Sequence, residues 1–320
     1  MLNYFSVCKS WGVLLVILLL ASACGKTDEN SYQPVLEQKN LKGLQAVVEY
    51  QIAMVPEGSQ KRVAEAYGPL VDYLNARLEG AKLVLIGPKN HEALEGSLAS
   101  GIYDLALTSP LQTVRATEHG YRVISKKADD SKFYGIWMVR RDSGIKTVGD
   151  LKGKKVCYPS RTGVAATILP KHFLKSHGLD VVRDVESYYT NSQEATILQV
   201  HAGKVSAGTV REFFWQDFQQ KHPNEAADLE VKWKTQPLID QAVIVRNNLP
   251  QAVTDRIAAL LNGLHETDEG RAILSQVNAS KFEPANNATY DIARKFFAEN
   301  ADLLTYASPT TESPQKEKAP

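Results

Sequence analysis

Cysteine is scarce in this chain of 320 residues, which contains only Cys8, Cys24 and Cys157. The first two stand on either side of a short apolar run near the start of the sequence, so Cys157 is alone in the rest. A disulfide needs two thiols, and a metal site made of cysteines needs several. We therefore expect neither an intrachain disulfide nor a cysteine metal site between residues 25 and 320.

An excess of charge of either sign is also missing. The chain has 37 basic and 36 acidic side chains, and Lys9 is the one charged residue among the first 23. Residues 24–320 therefore carry 36 basic and 36 acidic side chains. A balanced chain has no general electrostatic reason to bind nucleic acid or an anionic membrane surface. We expect no nucleic-acid partner.

The short motifs of several large enzyme classes are absent as well. The sequence has no GxxxxGK or GxGxxG loop, no HExxH and no GxSxG. We therefore predict a protein that is not an enzyme, with no catalytic residue, cofactor or metal. One alternative is a hydrolase that uses Cys157 or Ser160 as nucleophile. That alternative needs a nearby base, which the sequence does not offer, and turnover of phosphate esters or thioesters would reveal it.

The start of the chain has the pattern of a secretory signal. The apolar run over residues 11–21 is shorter than the stretch of about 20 residues that a membrane span needs. Small residues and Cys24 follow it and resemble a bacterial lipobox. We predict a lipoprotein signal peptide over residues 1–23, with Cys24 as the lipidated first residue on the extracytoplasmic face of a membrane. The alternative is an ordinary signal cleaved nearby.

The rest of the chain divides into a polar tether over residues 24–43, a folded region, and a disordered tail over residues 306–320. Strand-like and helix-like patterns alternate through the folded region, as is typical of parallel strands with crossover helices. Two β-rich segments join two such sets. We predict an α/β fold with a discontinuous first lobe (44–137 and 244–305), a continuous second lobe (138–243) and a cleft between them.

The stretch YPSRTGVAATILPKHFL, at residues 158–174, places hydroxyls, a cation and a glycine at the start of a predicted helix. Helix N-termini expose N–H groups without intrahelical partners and carry partial positive charge. Ser160, Arg161, Thr162 and Gly163 therefore form a candidate anion site. The alternative is that Ser160 or Thr162 caps the helix while Arg161 points to water.

Four segments carry a resemblance to a known family. They are YGPLVDYLNARL, LASGIYDLALTSPLQTVRATEHGYRVI, YGIWMVRRDSGIKTVGDLKGKKVCYPS and SRTGVAATILPKHFLKSHGLD. Their content and order resemble the periplasmic substrate-binding proteins of phosphate, phosphite and phosphonate ABC transporters. The resemblance implies a two-lobe type II periplasmic-binding-protein fold, in which each lobe is a mainly parallel sheet flanked by helices.

The resemblance also implies binding residues in the second lobe. Ser160, Thr162 and Gly163 would hold a tetrahedral oxyanion, while Arg161 replaces a small residue of the family pattern. Gln193 stands where the family often has a histidine, and its alternative is a solvated helix start. Ser206 replaces the acid of the family's Asp-Ala-Gly.

Further candidates lie where strands end. Arg211 ends a strand of the second lobe, and Thr108 and Ser109 end one of the first, at positions that commonly line clefts. Arg211 could instead pair with Glu212, and Ser109 could cap a helix. Tyr134, on the crossover, would contact the ligand or pack at the hinge. The lost acid at Ser206 and the two arginines, Arg161 and Arg211, argue against an aminoalkyl phosphonate.

These features together predict a lipid-anchored solute-binding protein. It would close on phosphate, phosphite or a small phosphonate and present it to an ABC permease. The alternatives are a ligand-sensing lipoprotein that signals to a membrane kinase, and an interaction lipoprotein that has lost its ligand.

Overall fold

The structure is a computed structural model that describes residues 47–56 and 59–305. The predicted signal peptide, Cys24, the tether and the tail lie outside these residues. None of the described helices is long and apolar enough to cross a membrane. The described residues also contain no cluster of side chains that could hold a metal ion.

Eleven strands in the described ranges form two sheets. The first sheet has the order β11-β4-β10-β3-β1-β2 and the second the order β7-β6-β8-β5-β9. The strands are β1 (Val48–Met54), β2 (Ala81–Ile86), β3 (Leu105–Thr108), β4 (Tyr121–Lys127), β5 (Gly135–Arg140), β6 (Lys154–Tyr158), β7 (Val185–Tyr189), β8 (Ala207–Arg211), β9 (Leu229–Lys234), β10 (Ala242–Arg246) and β11 (Phe282–Pro284).

Helices cover both sheets, as the alternating pattern predicts. In α1, for example, Tyr67, Leu70 and Leu74 recur at helical spacing and are buried, and the Ser59 hydroxyl caps the helix. The α-helices are α1 (Gln60–Asn75), α2 (His91–Ala99), α3 (Pro110–Thr117), α4 (Leu169–Ser176), α5 (Gln193–His201), α6 (Glu212–Lys221), α7 (Pro223–Ala227), α8 (Gln251–Asn262), α9 (Asp268–Gln276), α10 (Asp291–Glu299) and α11 (Ala301–Thr305).

Each sheet is mixed, but four of its strands run in the same direction. These are β1, β2, β3 and β4 in the first sheet, opposed by β10 and β11, and β6, β7, β8 and β9 in the second, opposed by β5. In the first, β1 pairs in parallel with β2 and β3, and β10 runs antiparallel between β3 and β4. In the second, β6 pairs in parallel with β7 and β8, and β5 runs antiparallel between β8 and β9. The inserted antiparallel strand is in each case the first strand after the chain crosses from the other sheet. The α/β fold with two sheets flanked by helices is therefore confirmed.

The chain crosses between the sheets twice, through residues 128–134 and 235–241, which we call the two passages. The boundaries proposed for the lobes stay a prediction, but the passages lie close to them. Apolar residues of the segment after β6, namely Val164, Ala165, Ile168 and Leu169, belong to the core of the first sheet. This segment therefore packs against both halves of the fold.

The helix expected after Gly163 begins with one wider turn. Residues Val164–Ile168 are π-helical, with the Ile168 N–H donating to the Gly163 carbonyl at 3.0 Å, and α4 continues directly. Gly135 at the start of β5 packs beneath this turn. A Cβ atom at Gly135 would lie 2.1 Å from the Ala165 carbonyl oxygen, so only glycine fits there.

Candidate ligand-binding site

A cavity of about 230 Å³ lies where strand ends of the two sheets face each other. Val55 follows β1, Ser109 follows β3, Ser160 follows β6, and Arg211 ends β8. The crevice beyond the carboxyl ends of parallel strands is the usual ligand position in open α/β sheets. The lining residues are Val55, Pro56, 89–92 and Ser109 from the first-sheet side, Phe133 and Gln241 from the two passages, and Pro159, Ser160, 163–166, 191–193 and Arg211 from the second-sheet side.

We call these two sets the first-sheet wall and the second-sheet wall. Arg211 is the charged centre of the second-sheet wall. Its side chain is 7% exposed, and its guanidinium lies 5.0 Å from the Phe133 ring and 4.7 Å from the Phe213 ring. The Arg211 backbone N–H donates to Gln193 Oε1 at 3.0 Å. Gln193 thus fixes the backbone beside a buried positive charge.

The loop after β6 supplies the remaining polar groups of this wall. Ser160 Oγ accepts from the Gly163 N–H at 2.9 Å, and Thr167 Oγ1 donates to the Ser160 carbonyl at 2.7 Å. No side chain caps the π turn that follows. The first N–H groups of a helical segment lack intrahelical partners, and residues 164–166 line the cavity. A bound anion could accept hydrogen bonds from them.

The two other candidates of this loop lie outside the cavity lining. Arg161 is exposed, and its guanidinium lies 4.4 Å from the centre of the Tyr189 ring. Thr162 is 4% exposed, and its hydroxyl donates to Glu92 Oε1 across the cleft at 3.5 Å. The structure therefore places Arg161 on an aromatic surface and Thr162 at a contact between the two halves.

In the first half, Ser109 lines the cavity and Thr108 does not. The Ser109 side chain forms a capping box with Gln112 at the start of α3, so the predicted capping role is present. Thr108 is fully buried, and its hydroxyl shares a 2.8 Å hydrogen bond with that of Thr113. Neighbouring residues of an extended chain point to opposite sides, which separates these two hydroxyls.

Tyr134 lies on the first passage and outside the cavity lining, while its neighbour Phe133 lines the cavity. The Tyr134 hydroxyl donates to the Glu212 carboxylate, and Lys234 Nζ donates to Glu212 Oε1 at 2.6 Å. Burial and the Glu212 carboxylate raise the pKa of Tyr134. This group ties the first passage, and the end of β9 that leads into the second, to the residue that follows Arg211.

Sequence reasoning missed the start of α2. Lys89, His91 and Glu92 line the cavity, and Asn90 caps the helix by accepting from the Ala93 N–H at 2.8 Å. The rule applied to Ser109, a strand end followed by a helix start, also holds here. It would have identified these residues after β2.

A second cavity of about 690 Å³ adjoins the first along α1 and α6. Ser192 and Gln193 line both cavities. Arg62 of α1 spans this groove, with Nη1 3.5 Å from Asp217 Oδ2 and its guanidinium 5.0 Å from the Phe214 ring. The two halves therefore touch at the mouth of the cleft.

Cys157, the nucleophile of the hydrolase alternative, lies inside β6 and is fully buried. Burial raises the pKa of its thiol, which keeps it protonated near neutral pH. It does not line the cavity.

The sequence profile of a family described as "ABC transporter, phosphonate, periplasmic substrate-binding protein" matches residues 52–290. The chain belongs to this family. Its members are substrate-binding components of transporters rather than enzymes, and the family is periplasmic.

One curated relative is the "Probable ABC transporter phosphite binding protein PhnD1" of Prochlorococcus marinus (strain MIT 9301). It is 22% identical over 190 residues, which cover 54% of this chain and 64% of the relative. The match thus spans slightly less than two thirds of the relative's length.

Two solved structures have the same fold. PhnD1 of Prochlorococcus marinus in complex with methylphosphonate has a TM-score of 0.71 and 18% identity, covering 79% of this chain and 98% of its own. A binding-protein component of an ABC phosphonate transporter from Pseudomonas aeruginosa has a TM-score of 0.71 and 13% identity, covering 83% and 90%. At such identities the likeness concerns the fold.

Proposed function

We propose that this protein binds a small phosphorus oxyanion, with methylphosphonate, phosphite and phosphate as the leading candidates, and delivers it to an ABC permease. The observation that carries the proposal is the second-sheet wall. It combines the buried charge of Arg211 with the uncapped start of the 164–176 helical segment in one small cavity. Both are groups that donate hydrogen bonds to an anion, and both belong to backbone segments at the ends of strands.

The size of the cavity supports a small ligand. Its volume of about 230 Å³ lies below the range of about 300–1,000 Å³ of pockets for drug-sized molecules. A methylphosphonate or phosphate ion fits within such a volume. The larger groove beside it leaves room for solvent or for a longer substituent.

Closure follows from the position of the cavity. Because its walls come from both halves of the fold, a ligand that contacts both walls favours the state in which they approach each other. The two passages are the elements about which such a movement would turn. The Tyr134, Glu212 and Lys234 group joins the first passage to the end of β9, which leads into the second.

The anchor and the partner complete the proposal. Lipidation of Cys24 would hold the protein at the extracytoplasmic face of the membrane, beside the permease. Replacing Cys24 with serine should release the protein from the membrane fraction without changing its ligand affinity. Mass spectrometry of the mature N-terminus would identify the lipid, and an unmodified, soluble wild-type protein would refute the anchor.

A thermal-shift and calorimetry panel tests the ligand class. It contains methylphosphonate, phosphite, phosphate, sulfate, methanesulfonate and 2-aminoethylphosphonate, with acetate as control anion. The last phosphonate belongs in the panel because Arg161 lies on Tyr189 and Glu92 lines the cavity. We expect at least one phosphorus oxyanion to raise the melting temperature and to saturate one site per chain. No response to any of them would refute the ligand class.

A further inference from the structure

Glu92 is an unusual component of an anion-binding cavity. Among the described residues that line the cavity, Lys89, His91 and Arg211 are basic or titratable to a positive charge, and Glu92 is the one carboxylate. A carboxylate repels a bound oxyanion and can only accept hydrogen bonds when ionised. Its presence therefore restricts which anions fit.

The role of an acid at a helix start explains only part of the presence of Glu92 at the cavity wall. Glu92 lies in the first turn of α2, where the helix dipole stabilises an acid, but Asn90 already supplies the cap. One turn later, Glu95 forms an ion pair with Arg115 outside the cavity lining. Glu92 forms no ion pair within residues 47–56 and 59–305, and its hydrogen bond there is the 3.5 Å contact from Thr162. Its carboxylate keeps accepting capacity at the cavity wall.

We propose that Glu92 makes the cavity selective for oxyanions that retain a proton, because the P–OH group of such a ligand can donate to its carboxylate. This inference rests on the proposed function. A hydrogen phosphonate or hydrogen phosphate ion offers a donor to Glu92 while its other oxygens accept from Arg211 and the 164–166 N–H groups. Sulfate and sulfonates are fully deprotonated near neutral pH and offer no donor.

The Thr162 contact places Glu92 at the boundary between the two walls. Thr162 follows directly from the loop that carries Ser160, and it touches Glu92 from the opposite half. A ligand proton donated to Glu92 would therefore join a contact that already bridges the cleft. Glu92 would then both select a ligand that carries a proton and help to hold the two halves together.

The test measures two ratios of dissociation constants by calorimetry at neutral pH, methylphosphonate against methanesulfonate and phosphate against sulfate. In wild-type protein the dissociation constant of the phosphorus ligand should be lower by about tenfold or more, because one hydrogen bond to a charged group contributes about that factor to affinity. In Glu92→Gln, the neutral amide can donate as well as accept, so both ratios should fall by about tenfold. The control variant is Glu95→Gln, on the same helix but outside the cavity, which should keep the wild-type ratios.

Unchanged ratios in Glu92→Gln, with phosphonate still bound, would refute the role of Glu92 and leave the proposed function intact. Absence of phosphorus-ligand binding in wild type would refute the proposed function instead. If only 2-aminoethylphosphonate depends on Glu92, the carboxylate binds an ammonium group and the P–OH inference is wrong. Melting temperatures of the unliganded variants verify that both are folded.

Discussion

The two walls of the cavity differ in what they offer a ligand. The second-sheet wall presents donors and positive charge, from Arg211 and from the uncapped helical start at residues 164–166. The first-sheet wall is mixed: the Ser109 hydroxyl is engaged with Gln112, and the wall carries the carboxylate of Glu92 as well as the cation of Lys89. The difference indicates a division of labour. In the function proposed above, the second-sheet wall supplies most of the binding energy, and Glu92 of the first-sheet wall decides which anion is accepted.

The largest effect should come from removing the charge of the second-sheet wall. Arg211→Gln should weaken methylphosphonate binding by about 100-fold or more, because a buried charge in contact with the anion is lost. Arg161→Gln is the matched control, since its guanidinium lies on Tyr189, and it should change affinity less than about threefold. Calorimetry gives both values. Equal losses in the two variants would contradict the proposed wall.

A second variant moves the same wall without changing its chemistry. Gly135→Ala places a Cβ atom 2.1 Å from the Ala165 carbonyl oxygen, so the π turn must shift. We expect a loss of about 1–3 kcal/mol in the free energy of unfolding, together with weaker ligand binding. The control is Gly68→Ala in α1, where a Cβ meets nothing within 4 Å. That change should be neutral or slightly stabilising in urea denaturation.

The contact between Arg62 and Asp217, at the mouth of the cleft, joins the two halves of the fold more weakly. Arg62→Ala removes two contacts, one with the Asp217 carboxylate and one with the Phe214 ring. The ion pair is partly exposed to solvent, and both contacts contribute little energy. We expect a two- to fivefold rise in the dissociation constant, about the loss of one such contact, mainly through faster release. Lys61→Ala, at a side chain that is 85% exposed, is the neighbouring control. Stopped-flow release rates that do not differ between the two variants would exclude a role for Arg62.

The smallest effect concerns Glu212, which holds Tyr134 and Lys234 beside the passages. Burial acts to raise the pKa of Glu212, but hydrogen bonds from Lys234 and Tyr134 outweigh it, so the net shift is downward. A lowered folded-state pKa adds stability above the unfolded value of about 4.3, and this is lost as the pH falls through the folded-state pKa. The stability difference between wild type and Glu212→Gln should therefore be present at pH 7 and shrink in acid. A difference that grows in acid would contradict this assignment.

Much of the fold could be predicted because the strands and helices have strong, regular apolar patterns. Short elements could not: β11 has three residues and α7 has five, too few to show a period. The π turn was not predicted either, and the residue that packs against it, Gly135, comes from a distant strand.

The sequence predicted where in the fold the candidate site lies better than it predicted which side chains point into it. Ser109, Ser160, Gly163, Gln193 and Arg211 line the cavity, whereas some of their immediate neighbours do not. In an extended backbone, successive side chains point to opposite sides. A strand end therefore indicates two neighbouring candidates, of which one faces the cavity.

Arg161 shows a second limit of prediction from sequence. Its partner Tyr189 belongs to a strand that no local pattern connects to the loop. Whether the residues that line the cavity bind the ligand stays a prediction for the experiments above.

The antiparallel strand inserted into each sheet has a consequence for how the chain acquires its structure. The second sheet is built from consecutive sequence and has all its strands once residue 234 has been made. The first sheet must wait for β10, whose Ala242 pairs with Thr108, before β3 and β4 are joined. Contacts so distant in sequence form slowly. A chain synthesised from its N-terminus therefore completes the sheet that carries Arg211 first, and the sheet on the Glu92 side becomes whole only near the end of synthesis.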